Sequence, residues 1–322
     1  MATNPWEKIS VPEEDVLCRR IDSKHPFDLF WARDSYGHFL FVYEFITEEI
    51  VENTTKLNGI TVRILSPEQL GNESYMLVLI LEDKKDWQIF LALCNDLTSV
   101  TRKFKKNDTG VKTIFRRLMQ WQKFLTRKRS ELLSESQIKG LLGELYFLSN
   151  YIIPNFGVAH AVQSWQGPEG MPQDFNVSSC AIESKCQLGT TTPRVHITSV
   201  DQLCTQLPEM FIYVITLGLA DKDTPGKINL PEIIELIRER LDDQQVAYED
   251  FNNILYQTGY ADLEAYGEFN YVVTNEQMFR VEDEFPKICA DMISPGIERL
   301  SYDINLADCE RFSKTPEWIK LP

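Results

Sequence analysis

The chain has 322 residues, 43% of them hydrophobic and 25% charged, with a net charge of −15. That balance excludes a disordered or collagen-like chain, and the length fits about two domains or one enlarged by insertions. The longest uninterrupted apolar run, Tyr75 to Leu81, falls well short of the roughly 20 residues of a bilayer span. Charge at Glu7, Lys8 and Glu13 to Asp15 leaves no apolar signal region near the N-terminus. A cytoplasmic protein without membrane association is expected.

Residues 1–107 read as a strand-rich N-terminal domain. Phe27 to Trp31 and His38 to Phe45 flank the turn signal Asp34-Ser35-Tyr36-Gly37, a hairpin pattern. Ile60 to Leu65 and Ser74 to Leu81 are further strands. Trp87, Phe90, Leu91, Cys94 and Leu97 then recur at helical spacing. Past the linker signal Asn107-Asp108-Thr109-Gly110, the positions Val111, Ile114, Phe115, Leu118, Trp121 and Leu125 predict a second amphipathic helix.

Charge is unevenly placed. Residues 101–129 hold eleven Lys and Arg against one acid, Asp108, a local balance of +10 that leaves −25 elsewhere. Such a stretch is either the solvated face of a helix or a strip that meets phosphates. Arg102, Lys103, Lys105, Lys106, Arg116 and Arg117 are the candidates for a DNA-backbone contact.

Ser134 with Gln137 three residues on is a capping-box signature, and Ile138, Leu141, Leu145 and Leu148 continue from it as one apolar stripe. At about 100° per residue, Glu144 lies about 60° from Leu141, at the edge of that stripe. A carboxylate there is paired, partly exposed or aimed at a metal, because an unpaired buried charge is costly. Gly140 and Gly143 weaken the helix and suggest close packing of another backbone.

Residues 165–187 carry the chemistry. Gly167, Pro168, Gly170 and Pro172 make a loop, Asp174 opens a short strand to Val177, and Cys180 to Gln187 return. Glu183, Lys185 and Gln187 share one face of the returning strand. A tight hairpin brings Asp174 alongside Glu183 and Lys185. Two close carboxylates repel unless a cation lies between them. Mg²⁺ prefers oxygen ligands, retains waters and meets phosphate through them, and a metal-bound water is a better nucleophile. Lys185 could orient or deprotonate that water, or stabilise developing charge. The spacing alone is weak, since Glu73, Glu82 and Lys84 repeat it. There the two glutamates flank a single strand, roughly 30 Å apart.

The order read from these patterns is helix 134–150, strands 174–177, 180–187 and 193–198, helix 199–206 and strand 210–217. This αβββαβ order resembles the core of the PD-(D/E)XK nuclease superfamily, with Asp174 as its aspartate and Glu183-Ser184-Lys185 as its E-x-K. Glu144 matches the helix glutamate that many members use as a further metal ligand. The wording is similar to one bacterial family catalogued as PD-(D/E)XK members of unknown function. Its pattern is seen in Gln137-x-x-Gly140-Leu-x-Gly143-Glu144-Leu145, Trp165-x-Gly167-Pro168, Asp174-Phe175, Ile182-Glu183-x-Lys185 and His196-Ile-x-Ser199-x-Asp201-Gln202-Leu203. Gln173 stands where a histidine often precedes the aspartate.

The resemblance implies a mixed α/β, or α+β, fold: a restriction-endonuclease-like core over 108–222, between the N-terminal domain and an α+β region over 223–322. It implies a metal-dependent endonuclease acting on DNA in a restriction or phage-defence system, with Mg²⁺ as cofactor and Mn²⁺ able to substitute. Asp174, Glu183, Lys185 and Glu144 would be catalytic, the three acids holding the metal, and Gln187 and Gln202 would orient water or phosphate. ATPase and methyltransferase proteins of the same system, and a second copy of the chain, are the expected partners. The alternatives are a non-catalytic assembly or specificity subunit and an RNA-directed nuclease.

The seven cysteines, without C-x-x-C spacing, are expected to be reduced and mostly buried, and the four histidines to be structural. The acidic C-terminal third suits partner docking better than duplex binding. Pro231 fits the first turn of a helix; 247–258 reads as another helix, and Phe269 to Val273, Met278 to Val281 and Leu300 to Ile304 as strands.

Overall fold

The structure, a computed structural model, describes residues 3–46, 56–102, 104, 110–127, 133–189 and 193–322. Contacts divide the chain into two units rather than the three expected segments. The first is Met1–Glu131 with Ala261–Leu263, and the second is Leu132–Tyr260 with Glu264–Pro322. The basic helix therefore belongs with the N-terminal strands, and residues 223–260 and 264–322 fold with the candidate site.

In the first unit, strands β1 (Val16–Arg20), β2 (Asp28–Asp34), β3 (Phe39–Phe45), β4 (Ile60–Leu65) and β5 (Tyr75–Leu81) form an antiparallel sheet ordered β1-β2-β3-β5-β4. The expected hairpin closes as read: the Gly37 amide donates to the Asp34 carbonyl at 2.9 Å, and Gly37 takes a positive φ of 77°. The one-turn helix α1 (Pro67–Leu70) precedes β5, and α2 (Trp87–Thr101) and α3 (Gly110–Arg127) follow it. Trp6, fully buried, stacks on Phe39 of β3 and Phe90 of α2 and meets Trp31 of β2 edge-on. One aromatic core thus ties the sheet to α2.

The second unit opens with α4 (Glu135–Phe147), capped by the Ser134–Gln137 box in both directions. A π-helical turn over Leu148–Ile152, then α5 (Ile153–Phe156) and α6 (Val158–Ser164), lead to the sheet. Strands β6 (Phe175–Val177), β7 (Cys180–Leu188), β8 (Arg194–Ile197) and β9 (Glu209–Leu219) follow, then α7 (Leu230–Arg240), α8 (Gln245–Thr258), β10 (Tyr271–Arg280) and β11 (Tyr302–Asn305). The main sheet runs β10-β9-β7-β6, with β7 and β9 parallel and the other pairs antiparallel.

Three expectations are corrected. β8 leaves the main sheet to pair with β11, through Val195↔Ile304. The helix read over 199–206 is a 3₁₀ turn at Val200–Leu203. The two strands read over 269–281 are one, β10, interrupted by a register shift between Val273 and Asn275. The unit is mixed α/β, as expected.

The sheet is buried on both faces. On one, Phe147 of α4 packs against Phe175 and Tyr213; on the other, Ala181, Ile212 and Val214 join Val195, Ile197, Ile304 and Phe312. Tyr146, Tyr151 and Tyr213 donate their hydroxyls to Glu276 at 3.2, 2.5 and 2.6 Å, pinning the end of α4 to β9 and β10. Cys204 and Cys289 form a disulfide, Cα atoms 6.0 Å apart and 85 positions distant in sequence. That overturns the all-reduced reading, which rested on local spacing, and it removes the cysteines as support for a reducing compartment. Among the described residues, no helix is long and apolar enough to cross a membrane.

Candidate active site

The site is built where α4 crosses β7. Gly143 makes the approach possible, because a Cβ there would meet Ile215 Cγ2 at 3.1 Å and Cys186 Cβ at 3.3 Å. Gly140 has no such duty, with nothing within 4 Å of a built Cβ. Glu144 follows Gly143, so the close contact sets how deeply its carboxyl enters. Its Oε2 accepts the indole N–H of Trp165 at 2.7 Å.

The loop after Trp165 fastens Asp174. The amides of Gln166 and Gly167 donate to the Asp174 carbonyl at 2.8 and 3.1 Å. A Cβ on Gly167 would stand 2.5 Å from Asp174 Oδ1 and 3.1 Å from its Cα, so this position requires glycine. Across the hairpin, Phe175 pairs with Ile182, one step from Asp174 and Glu183. Asp174 Oδ2 accepts the Ser184 amide at 2.8 Å.

Glu183 is 2% exposed. Its Oε1 accepts from Lys185 Nζ at 2.8 Å and from Gln202 Nε2 at 2.7 Å, while its buried Oε2 has no partner. The three carboxyls sense one another. Burial, then the charge of Asp174, push Glu183 up to about 8, with Lys185 opposing. Burial lifts Asp174 to about 6 against the Ser184 amide and Lys185. Glu144 is held well above the ordinary carboxylate range by burial and then by Asp174.

These residues fit a divalent cation. The orphaned Glu183 Oε2 and three mutually repelling carboxyls form an oxygen-only donor set with unmet charge. Among the described residues no group of three His, Cys, Asp or Glu side chains is disposed to hold a metal ion as it stands, the three acids included. Mg²⁺ needs only one or two carboxylates, with waters completing its shell.

The remaining expected residues have these partners. Gln202, partly buried, donates its Nε2 to Glu183 Oε1, and its own Oε1 accepts from the Thr198 amide and hydroxyl. Gln187 bonds to Thr216 Oγ1 and to the Arg194 amide. In the first unit, Arg117 is 4% exposed and grips Asp96 through two bonds of 2.6 and 2.7 Å, so it takes no part in a surface strip. Arg102 is exposed and pairs with Asp22 at 2.9 Å, and Arg116 is exposed. Lys103, Lys105 and Lys106 lie outside the described residues.

Trp165 and Gln173 make contacts at the acid cluster and its neighbouring turn that spacing did not reveal. Gln173 Nε2 donates to the carbonyls of Asp201, Gln202 and Cys204 at 2.6, 3.4 and 3.3 Å, which pins the turn that carries Gln202. Its place immediately before Asp174 was the available signal.

Neither a curated protein nor a solved structure matches the chain. Residues 2–307 match the model of the family described as "Putative PD-(D/E)XK family member" (DUF4420), and the chain belongs to that family.

Proposed function

We propose that the acid cluster is the active site of a divalent-metal-dependent endonuclease that hydrolyses DNA phosphodiester bonds, working in a restriction or phage-defence system. One observation carries this reading: Glu144, Asp174 and Glu183 converge with an unpartnered oxygen beside the amine of Lys185. A family of PD-(D/E)XK type supports it.

Asp174 and Glu183 would hold Mg²⁺, or Mn²⁺ in its place, with Glu144 ligating directly or through water. When bound, the ion offsets phosphate charge and acidifies a water. Lys185 is not a ligand. Its ammonium rests on Glu183 Oε1, from which it orients the attacking water or stabilises charge on the phosphate oxygens. Gln202 fixes the opposite side of the same oxygen. In a protein of net −15, backbone contact must come from local cations such as Arg102 and Arg116.

The test incubates the purified chain with supercoiled plasmid and with RNA, in Mg²⁺ or EDTA. Plasmid should be cut in Mg²⁺ only. Cleavage of RNA alone would make the substrate RNA. Cleavage of neither, with partner proteins present, would leave an assembly or specificity subunit.

A further inference from the structure

We infer that Trp165 is a positioning residue for the metal site: its indole N–H fixes the Glu144 carboxyl so that the other oxygen is left for the cation. The inference rests on the proposed metal-binding reading and deepens it.

Trp165 is fully buried and reaches three parts of the unit at once. Its Nε1–H meets Glu144 Oε2 of α4 at 2.7 Å. Its backbone bridges Phe175, the neighbour of Asp174, and the next two amides hold the Asp174 carbonyl. Its ring packs on Phe251 of α8, centroids 6.0 Å apart. One residue thus sets the spacing between the helix acid and the strand acid, and α8 of the C-terminal region backs it.

The chemistry of the donor suits this task. An indole N–H donates and cannot accept, so it cannot exchange roles with water as a hydroxyl can. It also brings no charge, so it directs Glu144 without competing with a cation. Among the described residues, Trp165 is the hydrogen-bond donor to the Glu144 carboxyl. Glu183 is held by Lys185 of its own strand and by Gln202 of the turn at Val200–Leu203, whereas Glu144 depends on Trp165 for its orientation. Groups that orient metal ligands typically change metal affinity 10–100-fold when removed.

The experiment uses Mn²⁺ alone as probe, followed by titration calorimetry, on the full chain without nucleic acid. Four proteins are compared: wild type, Glu144→Gln, Trp165→Phe, and a chain with β-(3-benzothienyl)alanine at 165. The last keeps the two-ring shape and replaces the N–H with sulfur, so it remains informative if Trp165→Phe folds poorly. The isostere should weaken Mn²⁺ about tenfold or more while unfolding at nearly the wild-type temperature. Mg²⁺ should shift the indole emission of the wild type, and that shift should disappear in Trp165→Phe. Wild-type Mn²⁺ affinity in the isostere would overturn the inference alone, leaving Trp165 a packing residue. Failure of the wild type to bind Mn²⁺ would overturn the metal-site reading and the inference with it.

Discussion

Replacing Asp174 with Asn should stabilise the metal-free protein at alkaline pH and not at acid pH. Burial moves the Asp174 carboxyl from the ordinary 3.8 to about 6. A group whose folded pKa is raised binds protons more readily when folded. Its contribution is therefore fully present below the unfolded pKa and is lost as pH rises through the folded one. Two units at 1.36 kcal/mol each make the ionised Asp174 cost about 3 kcal/mol by pH 8. Asn removes that charge and keeps an oxygen for the Ser184 amide. It also relieves Glu183, which the Asp174 charge helps push up to about 8. The assay is thermal unfolding of wild type and Asp174→Asn in EDTA from pH 4 to pH 8. The two should nearly coincide at pH 4 and separate by about 6 °C or more at pH 8, at 2–4 °C per kcal/mol for a unit of this size. Mg²⁺ should raise the wild-type midpoint at pH 8 and leave the variant's unchanged. A difference that does not change with pH, or a less stable variant at pH 8, would refute the reasoning.

Gly167→Ala should weaken Mn²⁺ binding at least tenfold, because its Cβ would stand 2.5 Å from Asp174 Oδ1, whereas Gly140→Ala, in open space, should leave binding intact and stabilise α4 by about 0.5–1 kcal/mol. Calorimetry and denaturant unfolding separate the two. Arg102→Gln and Arg116→Gln should each reduce the log–log salt slope of DNA binding by about 0.9 if they meet phosphates; an unchanged slope would make them a solvated face. Arg117→Ala should destabilise the first unit by about 3 kcal/mol, because it leaves the largely buried Asp96 carboxylate without its counter-charge, although the Trp121 indole N–H still donates to it at 2.8 Å; a loss below about 1 kcal/mol in urea unfolding would contradict that assignment.

Short-range patterns were legible because each is decided within a few residues. The Ser134–Gln137 box, the turn at Asp34–Gly37 and the face shared by Glu183 and Lys185 all follow from local geometry. Burial of Arg117 was not legible. Its helix position suggested charge on a surface, but the partner, Asp96, comes from α2, and a long-range ion pair has no sequence period. The pairing of β8 with β11 and the bridge from Cys204 to Cys289 fail to show for the same reason, since chain separation conceals them. The role of Gln173 lay between these cases: its departure from histidine was visible, but the carbonyls it binds belong to the turn at Val200–Leu203 and its cap Cys204. Asp174 and Glu183 became a credible pair only because a two-residue turn joins their strands. The matching spacing at Glu73 and Glu82 has the single strand β5 between them.

Single-turnover cleavage of plasmid by wild type and Lys185→Ala in Mg²⁺, with Mn²⁺ affinity measured on both, tests the central claim most directly. Lys185 also pairs with the buried Glu183 at 2.8 Å, so thermal unfolding of both proteins is followed alongside, which separates lost chemistry from lost stability. The account predicts that wild type cuts, that Lys185→Ala binds Mn²⁺ nearly as well, and that its cleavage is abolished and not restored by excess Mn²⁺. Cleavage by Lys185→Ala at the wild-type rate would contradict it.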